Sequence, residues 1–229
     1  MVGDRSQVVD TLTTRPVRPV DAASLIIVRC GSSGVEVLMG RRPENARFAA
    51  GVYVFPGGKV ERADFKAKAT GALKRGIVGK LAVAASRQRA SAFAKAAVRE
   101  AYEETGLLLG APGDVGDVNN ASWSEIRRKG VAPALGKMDY VGRAITYARS
   151  PIRFHARFFC TEAKHVSGEI RGNGELEDLD WHPVGKALSL PIFDVTEFIL
   201  SELRRHLKKP SRRKPVLSYR KGIVQVDYR

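Results

Sequence analysis

Two cysteines, Cys30 and Cys160, are all that 229 residues contain. Each sits in an apolar, strand-like stretch, so the expectation is two buried free thiols in a reducing cytosol, not a disulfide scaffold. The four histidines (His155, His165, His182, His206) form no i, i+4 pair and have no cysteine beside them. That pattern excludes a zinc site. No apolar run approaches the ~18 residues that a membrane-spanning helix needs. Residues 1–20 have no apolar signal-peptide core, and Asp4 and Asp10 argue against an organelle transit peptide. A flexible lead-in over 1–20 and a cytoplasmic location are expected. Internal repeats and low-complexity segments are lacking as well.

Acidic residues are scarce beside basic ones: 24 Asp and Glu face 39 Lys and Arg, a net charge of +15. Such a field favours anionic partners, from nucleotides to nucleic acid or an acidic membrane surface. The charge is uneven. Arg204, Arg205, Lys208, Lys209, Arg212, Arg213 and Lys214 crowd into eleven positions. This run reads either as a solvated tail or as an RNA- or phosphate-binding patch.

What is present reads as strands followed by helices. Ala22–Arg29 is a β-type run, and Val35–Met39 returns after the turn at 31–34 as a hairpin strand. Val52–Phe55 is a third strand, stopped by Pro56-Gly57-Gly58. Residues 64–89 are rich in Ala, Lys and Arg and broken by Gly71, Gly76 and Gly79, which predicts one or two short exposed helices. A longer Ala-rich helix is expected from Arg87 to Thr105, with Gly106 as its terminator. Leu107–Leu109 reads as a strand, and Ser122 with Glu125 as a capping box opening a short helix. Ile152–Thr161 and Leu176–Trp181 read as strands, Asp194–Leu207 as a helix, and 215–228 as a hairpin about Arg220-Lys221-Gly222. This mixed order implies an α/β layered domain with a mixed sheet.

Glu100, Glu103 and Glu104 stand at i, i+3 and i+4, so a helix gathers three carboxylates on one face. Near a helix C-terminus, the macrodipole makes that gathering less favourable still. A hard divalent cation is the natural compensation. Upstream lies Phe55-Pro56-Gly57-Gly58, a turn whose backbone can approach a ligand closely.

Together these pieces resemble the Nudix box, Gly-x5-Glu-x7-Arg-Glu-hydrophobic-x-Glu-Glu-x-Gly-hydrophobic. Gly58 matches its first glycine, and Asp64, six positions on, stands where a glutamate is expected. Arg99 to Leu107, including Gly106, matches the second half. Asp64 and Arg99 are 35 apart where the pattern has eight, an excess of 27. The coenzyme A diphosphatase-like branch carries an insertion at this point, and Arg153-Phe154-His155-Ala156-Arg157-Phe158-Phe159 is similar to one of its strands, departing at His155 and Ala156.

The resemblance implies a Nudix-type α/β/α sandwich with a mixed sheet over residues 21–209, with a helical insertion at 65–91 and a basic extension at 210–229. It implies a Mg²⁺- (or Mn²⁺-)dependent hydrolase cleaving a diphosphate linkage in a nucleoside diphosphate derivative, with coenzyme A or acyl-coenzyme A favoured. Glu103, Glu104, Glu100 and the Gly57 carbonyl are its implied metal ligands, with Glu100 an alternative base. Glu175, and after it Glu169, is the candidate for a further carboxylate. An Asp64–Arg99 salt bridge is implied too. Arg41, Arg42, Arg153 and Arg157 are candidates for substrate phosphate, and Trp181 and His182 resemble the family's closing strand. A homodimer stays open, and nucleic acid is the less favoured partner. The alternative is a catalytically reduced Nudix-like module that binds RNA or a nucleotide through its basic surface.

Overall fold

The computed structural model describes residues 17–32, 34–46, 49–81, 86–150 and 152–229. Most of the expected lead-in (1–16), position 33 of the first turn and 82–85 of the insertion lie outside the described residues.

In chain order the elements are β1 (Val20–Gly31), β2 (Gly34–Arg41), β3 (Tyr53–Val54), β4 (Gly57–Lys59), α1 (Arg62–Lys66), α2 (Ile77–Lys80) and α3 (Arg87–Thr105). There follow β5 (Gly110–Pro112), α4 (Ala121–Arg128), β6 (Val131–Pro133), β7 (Asp139–Ile145), β8 (Phe154–Glu162), β9 (Glu177–Pro183), α5 (Val184–Ala187), α6 (Asp194–Lys208), β10 (Pro215–Arg220) and β11 (Ile223–Tyr228). The main sheet runs β11-β10-β7-β8-β1-β2-β3, with β4 beside the start of β1 and β9 along β2. It is mixed: β1 with β8 and β7 with β10 are parallel, and the other pairs antiparallel. β5 and β6 form a separate two-stranded sheet.

β1 shows why the sheet is sandwiched. Its residues from Ala22 to Val28 are nearly all apolar, and a strand with that pattern must be covered on both faces. Ala23, Leu25 and Ile27 enter one core with Phe93, Ala97 and Ala101 of α3. Ile26 and Val28 enter the other with Ile199, Leu200 and Leu203 of α6. The α/β/α sandwich with a mixed sheet is therefore the observed fold.

Several elements differ from expectation. Among the described residues the insertion holds two short helices, α1 and α2, within the one or two expected, joined by turns and irregular backbone. Its apolar side is fastened down, while Lys66, Lys68, Lys74 and Arg75 are exposed as expected. Ala67, Ile77 and Leu81 are buried against α3, the Lys68 and Thr70 N–H groups donate to Val115 O and Pro133 O at 2.7 and 2.9 Å, and 87–91 already belong to α3. The strand expected at Leu107–Leu109 falls instead at Gly110–Pro112, leaving an isolated bridge at Leu108. α4 is capped by Asn120, whose side chain accepts from Trp123 N, not by Ser122. β7 was not expected at all. Cys30 is exposed, because it lies by the β1–β2 turn where the sheet runs out of cover, while Cys160 is buried and its thiol is pushed up to about 12 by that burial.

Candidate active site

α3 carries the acidic cluster, and its ends are fixed locally. Ser86 Oγ accepts from Arg89 N at 3.2 Å, and Gly106 closes the helix at φ 76°, a left-handed position that glycine takes without strain. Alanines let the helix lie close on the sheet: Ala90, Ala94, Ala97 and Ala101 are all buried.

That closeness brings the two halves of the motif together across the insertion. Gly57 N–H donates to Glu104 Oε2 at 2.8 Å. A Cβ on Gly58 would stand 2.5 Å from the Glu100 carboxyl carbon, so only glycine leaves that carboxylate its place. Arg99 ties the halves from beneath. Its Nε and Nη2 meet Asp64 at 2.9 and 3.1 Å, Nη2 also donates to Lys59 O at 2.9 Å, and Nη1 lies 2.9 Å from Glu100 and 3.0 Å from Glu103. Asp64 is fully buried. It accepts further from Glu61 N at 2.8 Å and from Trp123 Nε1 at 3.1 Å. α1 carries Asp64 inward, so the shorter acid still reaches the arginine.

The carboxylates are held under electrostatic tension. Burial pushes Glu100 up to about 7, with Arg99 opposing and Glu103 adding to the rise. Burial raises Glu104 well above the usual range; Gly57 N–H lowers it, and the charges of Glu100 and Glu175 raise it further. For Arg99, burial alone would favour loss of the proton, but Asp64, Glu100 and Glu103 outweigh it and keep the guanidinium charged. Buried acids that resist ionisation gain most from a cation beside them.

The donors available here are all oxygen: Glu100, Glu103, Glu104 and the backbone of Gly57. That set suits a hard divalent ion such as Mg²⁺ or Mn²⁺ rather than zinc. Among the described residues no three Asp, Glu, His or Cys side chains converge as a ready ligand set. The reason is visible in the geometry: Arg99 Nη1 holds Glu100 and Glu103, and Gly57 N–H holds Glu104.

The other expected residues divide. Glu175 and Arg42 lie close enough for their charges to act on Glu104. Glu175 is exposed, on a loop steadied by its N–H donating to Asn173 Oδ1 at 2.9 Å. Arg41 is turned away into ion pairs with Glu44, Glu177 and Asp178 at 2.6–3.0 Å. Arg153 donates to Val17 O and Thr146 O. Arg157 is not on a surface face: it is 1% exposed, pairs with Asp21 at 2.7 Å and stacks 4.0 Å over the Phe93 ring. Glu169 is exposed, and its backbone oxygen crowds Gly106. Trp181 lies under Arg29 at 4.3 Å, and His182 meets Tyr53 edge-on.

Two features lay outside the sequence reading. Trp123 acts as a donor to Asp64, for which a buried indole N–H needing a partner was the available signal. A cleft of about 310 Å³ beside Glu103 is lined by Tyr102, Ser122, Glu125, Arg171 and Asn173. Three separate segments assemble it, and no local pattern announces it.

A mixed sheet between helical layers, with a glycine turn docked on an Arg-Glu-Ala-Tyr-Glu-Glu helix, is similar to the architecture of solved Nudix hydrolases. The chain is similar to a Nudix hydrolase from Alicyclobacillus acidocaldarius, with 27% identity, a TM-score of 0.66, and 80% of this chain and 90% of that one covered. A MutT protein from Methanosarcina mazei Go1 is more distant, at 18% identity and a TM-score of 0.48 over 86% of this chain and 100% of that one. No protein-family model matches the sequence, and no curated protein matches it. Fold, motif and the first of these likenesses agree: the chain is a hydrolase acting on diphosphate bonds.

Proposed function

We propose that the protein is a Mg²⁺- or Mn²⁺-dependent enzyme that hydrolyses the diphosphate linkage of a nucleoside diphosphate derivative in the cytoplasm, with coenzyme A or acyl-coenzyme A as its first candidate substrate. The observation that carries the reading is the meeting of Gly57 and Gly58 with Glu104 and Glu100. An insertion has separated the two halves of the motif in sequence and left them joined in space. Coenzyme A ranks first because the insertion falls where that branch of the family carries one.

Cleaving a diphosphate requires an in-line water, neutralised phosphate oxygens and a proton acceptor. Glu103, Glu104, Glu100 and the Gly57 carbonyl would hold the metal, which when bound supplies positive charge to the phosphate oxygens. Glu100, poised near 7, or Glu175, on its exposed loop, takes the proton of the attacking water. Arg42 faces the same cluster and steadies a phosphate oxygen. Arg99 and Asp64 touch no substrate; they position the acidic helix against the glycine turn.

The test is a panel of coenzyme A, acyl-coenzyme A, dinucleoside polyphosphates, nucleotide sugars and capped RNA with each metal, read by phosphate-containing products. Preferential cleavage of coenzyme A compounds supports the reading. Turnover of another class would move the substrate, and no turnover with no metal bound in titration would leave a binding module.

A further inference from the structure

The insertion and the basic run near the C-terminus meet at one place, and none of Glu100, Glu103 or Glu104 lines it. A cavity of about 380 Å³ lies between them, lined among others by Lys74 of the insertion, Lys137, His206 of α6, Asp139 and Thr161. Lys214 stands beside it, 8% exposed, with Nζ 3.0 Å from His206 Nδ1. The two acids at the cavity are already spoken for: both oxygens of Asp139 accept from Lys74 Nζ at 2.8 Å, and Glu162 pairs with Lys164 at 2.7 Å. Among the described residues, Lys80, Lys137 and Lys214 have no carboxylate within ion-pair distance. Lys80 belongs to α2, and its charge bears on both Lys214 and His206, which burial already holds below their ordinary values. A buried ammonium whose nearest polar neighbour is a neutral imidazole lacks the counterion that such a group ordinarily keeps.

We propose that this cavity and the adjoining run of Arg204, Lys208, Lys209, Arg212 and Arg213 form a docking surface for the phosphate backbone of a nucleic acid, RNA in the first instance. Arg204, Lys208, Lys209, Arg212 and Arg213 are all exposed and neighbour the cavity residues His206, Leu207 and Pro210 in sequence, more cations than a single phosphate would use. No Phe, Tyr or Trp lines the cavity, so the surface offers little stacking platform and recognition runs through phosphates, independent of sequence. Leu207, 40% exposed, is the single large apolar side chain presented by the lining, too little to anchor a membrane surface. The surface is independent of the diphosphate chemistry and explains two features that the acidic motif leaves unused.

The test is fluorescence anisotropy of the full chain with a labelled RNA duplex of about 20 base pairs, at salt from about 50 to 200 mM. Wild type is expected to bind at low salt and to lose at least ~10-fold in affinity across that range. Lys80→Glu, Lys137→Glu and the double variant Lys208→Glu/Arg212→Glu should each weaken binding several-fold and flatten the salt slope. Lys186→Glu, on α5 and outside both the cavity lining and the basic run, should stay within about two-fold. Thermal melts confirm that each variant folds. Absence of RNA binding at low salt, or equal affinity in all variants, overturns the proposal. So does displacement of RNA by inorganic phosphate at matched ionic strength, which assigns the cavity to a small ligand. Retention on phosphatidylserine vesicles without RNA binding would assign the surface to membranes instead.

Discussion

Asp64 and Arg99, 35 positions apart, share hydrogen bonds of 2.9 and 3.1 Å with both side chains at most 2% exposed. Removing one partner of such a pair leaves the other charged and unmatched in the interior, a loss of about 3–5 kcal/mol. Asp64→Ala is expected to lower unfolding free energy by about that amount in urea titration. It should also release Trp123 Nε1 and Glu61 N, both of which Asp64 accepts from. A loss below ~1 kcal/mol would mean that Lys59 O, Glu100 and Glu103 suffice to hold the arginine.

Gly58→Ala tests the join between the two halves of the motif. A methyl group there stands 2.5–2.6 Å from the atoms of the Glu100 carboxyl, so the carboxylate must move or β4 must lift. The expected result is a fall in kcat of at least ~100-fold with far-UV circular dichroism unchanged. Unchanged kcat would place the working position of Glu100 elsewhere.

How much of this was legible beforehand differs from residue to residue. α3 was readable to its last residue because alanine composition and Gly106 are local signals, and local signals survive folding. β7 was not, because Gly142 and Arg143 break its apolar run and its register shifts between Tyr140 and Gly142. The insertion has helix-forming composition, yet docking on α3, and hydrogen bonds to Val115 O and Pro133 O, hold 67–76 out of helix. Arg157 was a candidate for substrate phosphate and is buried, because Asp21, His155 O and the Phe93 ring satisfy it from three elements. Within the site, the residue types were legible and their partners were not. The charge of Arg42 acts on Glu104 while Arg41 is held in ion pairs with Glu44, Glu177 and Asp178, a division that nothing in the dipeptide announces.

Glu103→Gln separates ligand from scaffold. Glu103 is the more exposed of the two glutamates on Arg99, at 24%, and its substitution leaves Asp64 and Glu100 in place to hold the guanidinium. Expected is a drop in kcat of at least ~100-fold, a weaker metal titration and a melting temperature within a few degrees of wild type. Near-normal kcat would remove Glu103 from the metal shell.

His155 makes stability pH-dependent in a window set by its own titration. Burial holds its pKa down to about 4 from 6.5, and the neighbouring Arg157 and Arg143 charges push the same way while Asp21 opposes. Because Arg143 Nη1 lies 2.8 Å from Nε2, the neutral ring accepts there and carries its proton on Nδ1. The unfolded chain therefore binds a proton that the folded chain refuses. Its contribution is fully present above pH 6.5 and declines as pH falls towards about 4, with a slope of at most ~1.4 kcal/mol per pH unit from this one group. His206 is lowered too and adds to the same trend, so wild type alone cannot isolate the effect. His155→Gln keeps an acceptor near Arg143 and removes the titration. Urea unfolding at pH 7 and pH 5 should then show a smaller loss in the variant than in wild type. Equal losses in both would mean that His155 protonates freely in the folded protein, and that Arg143 does not depend on its neutral form.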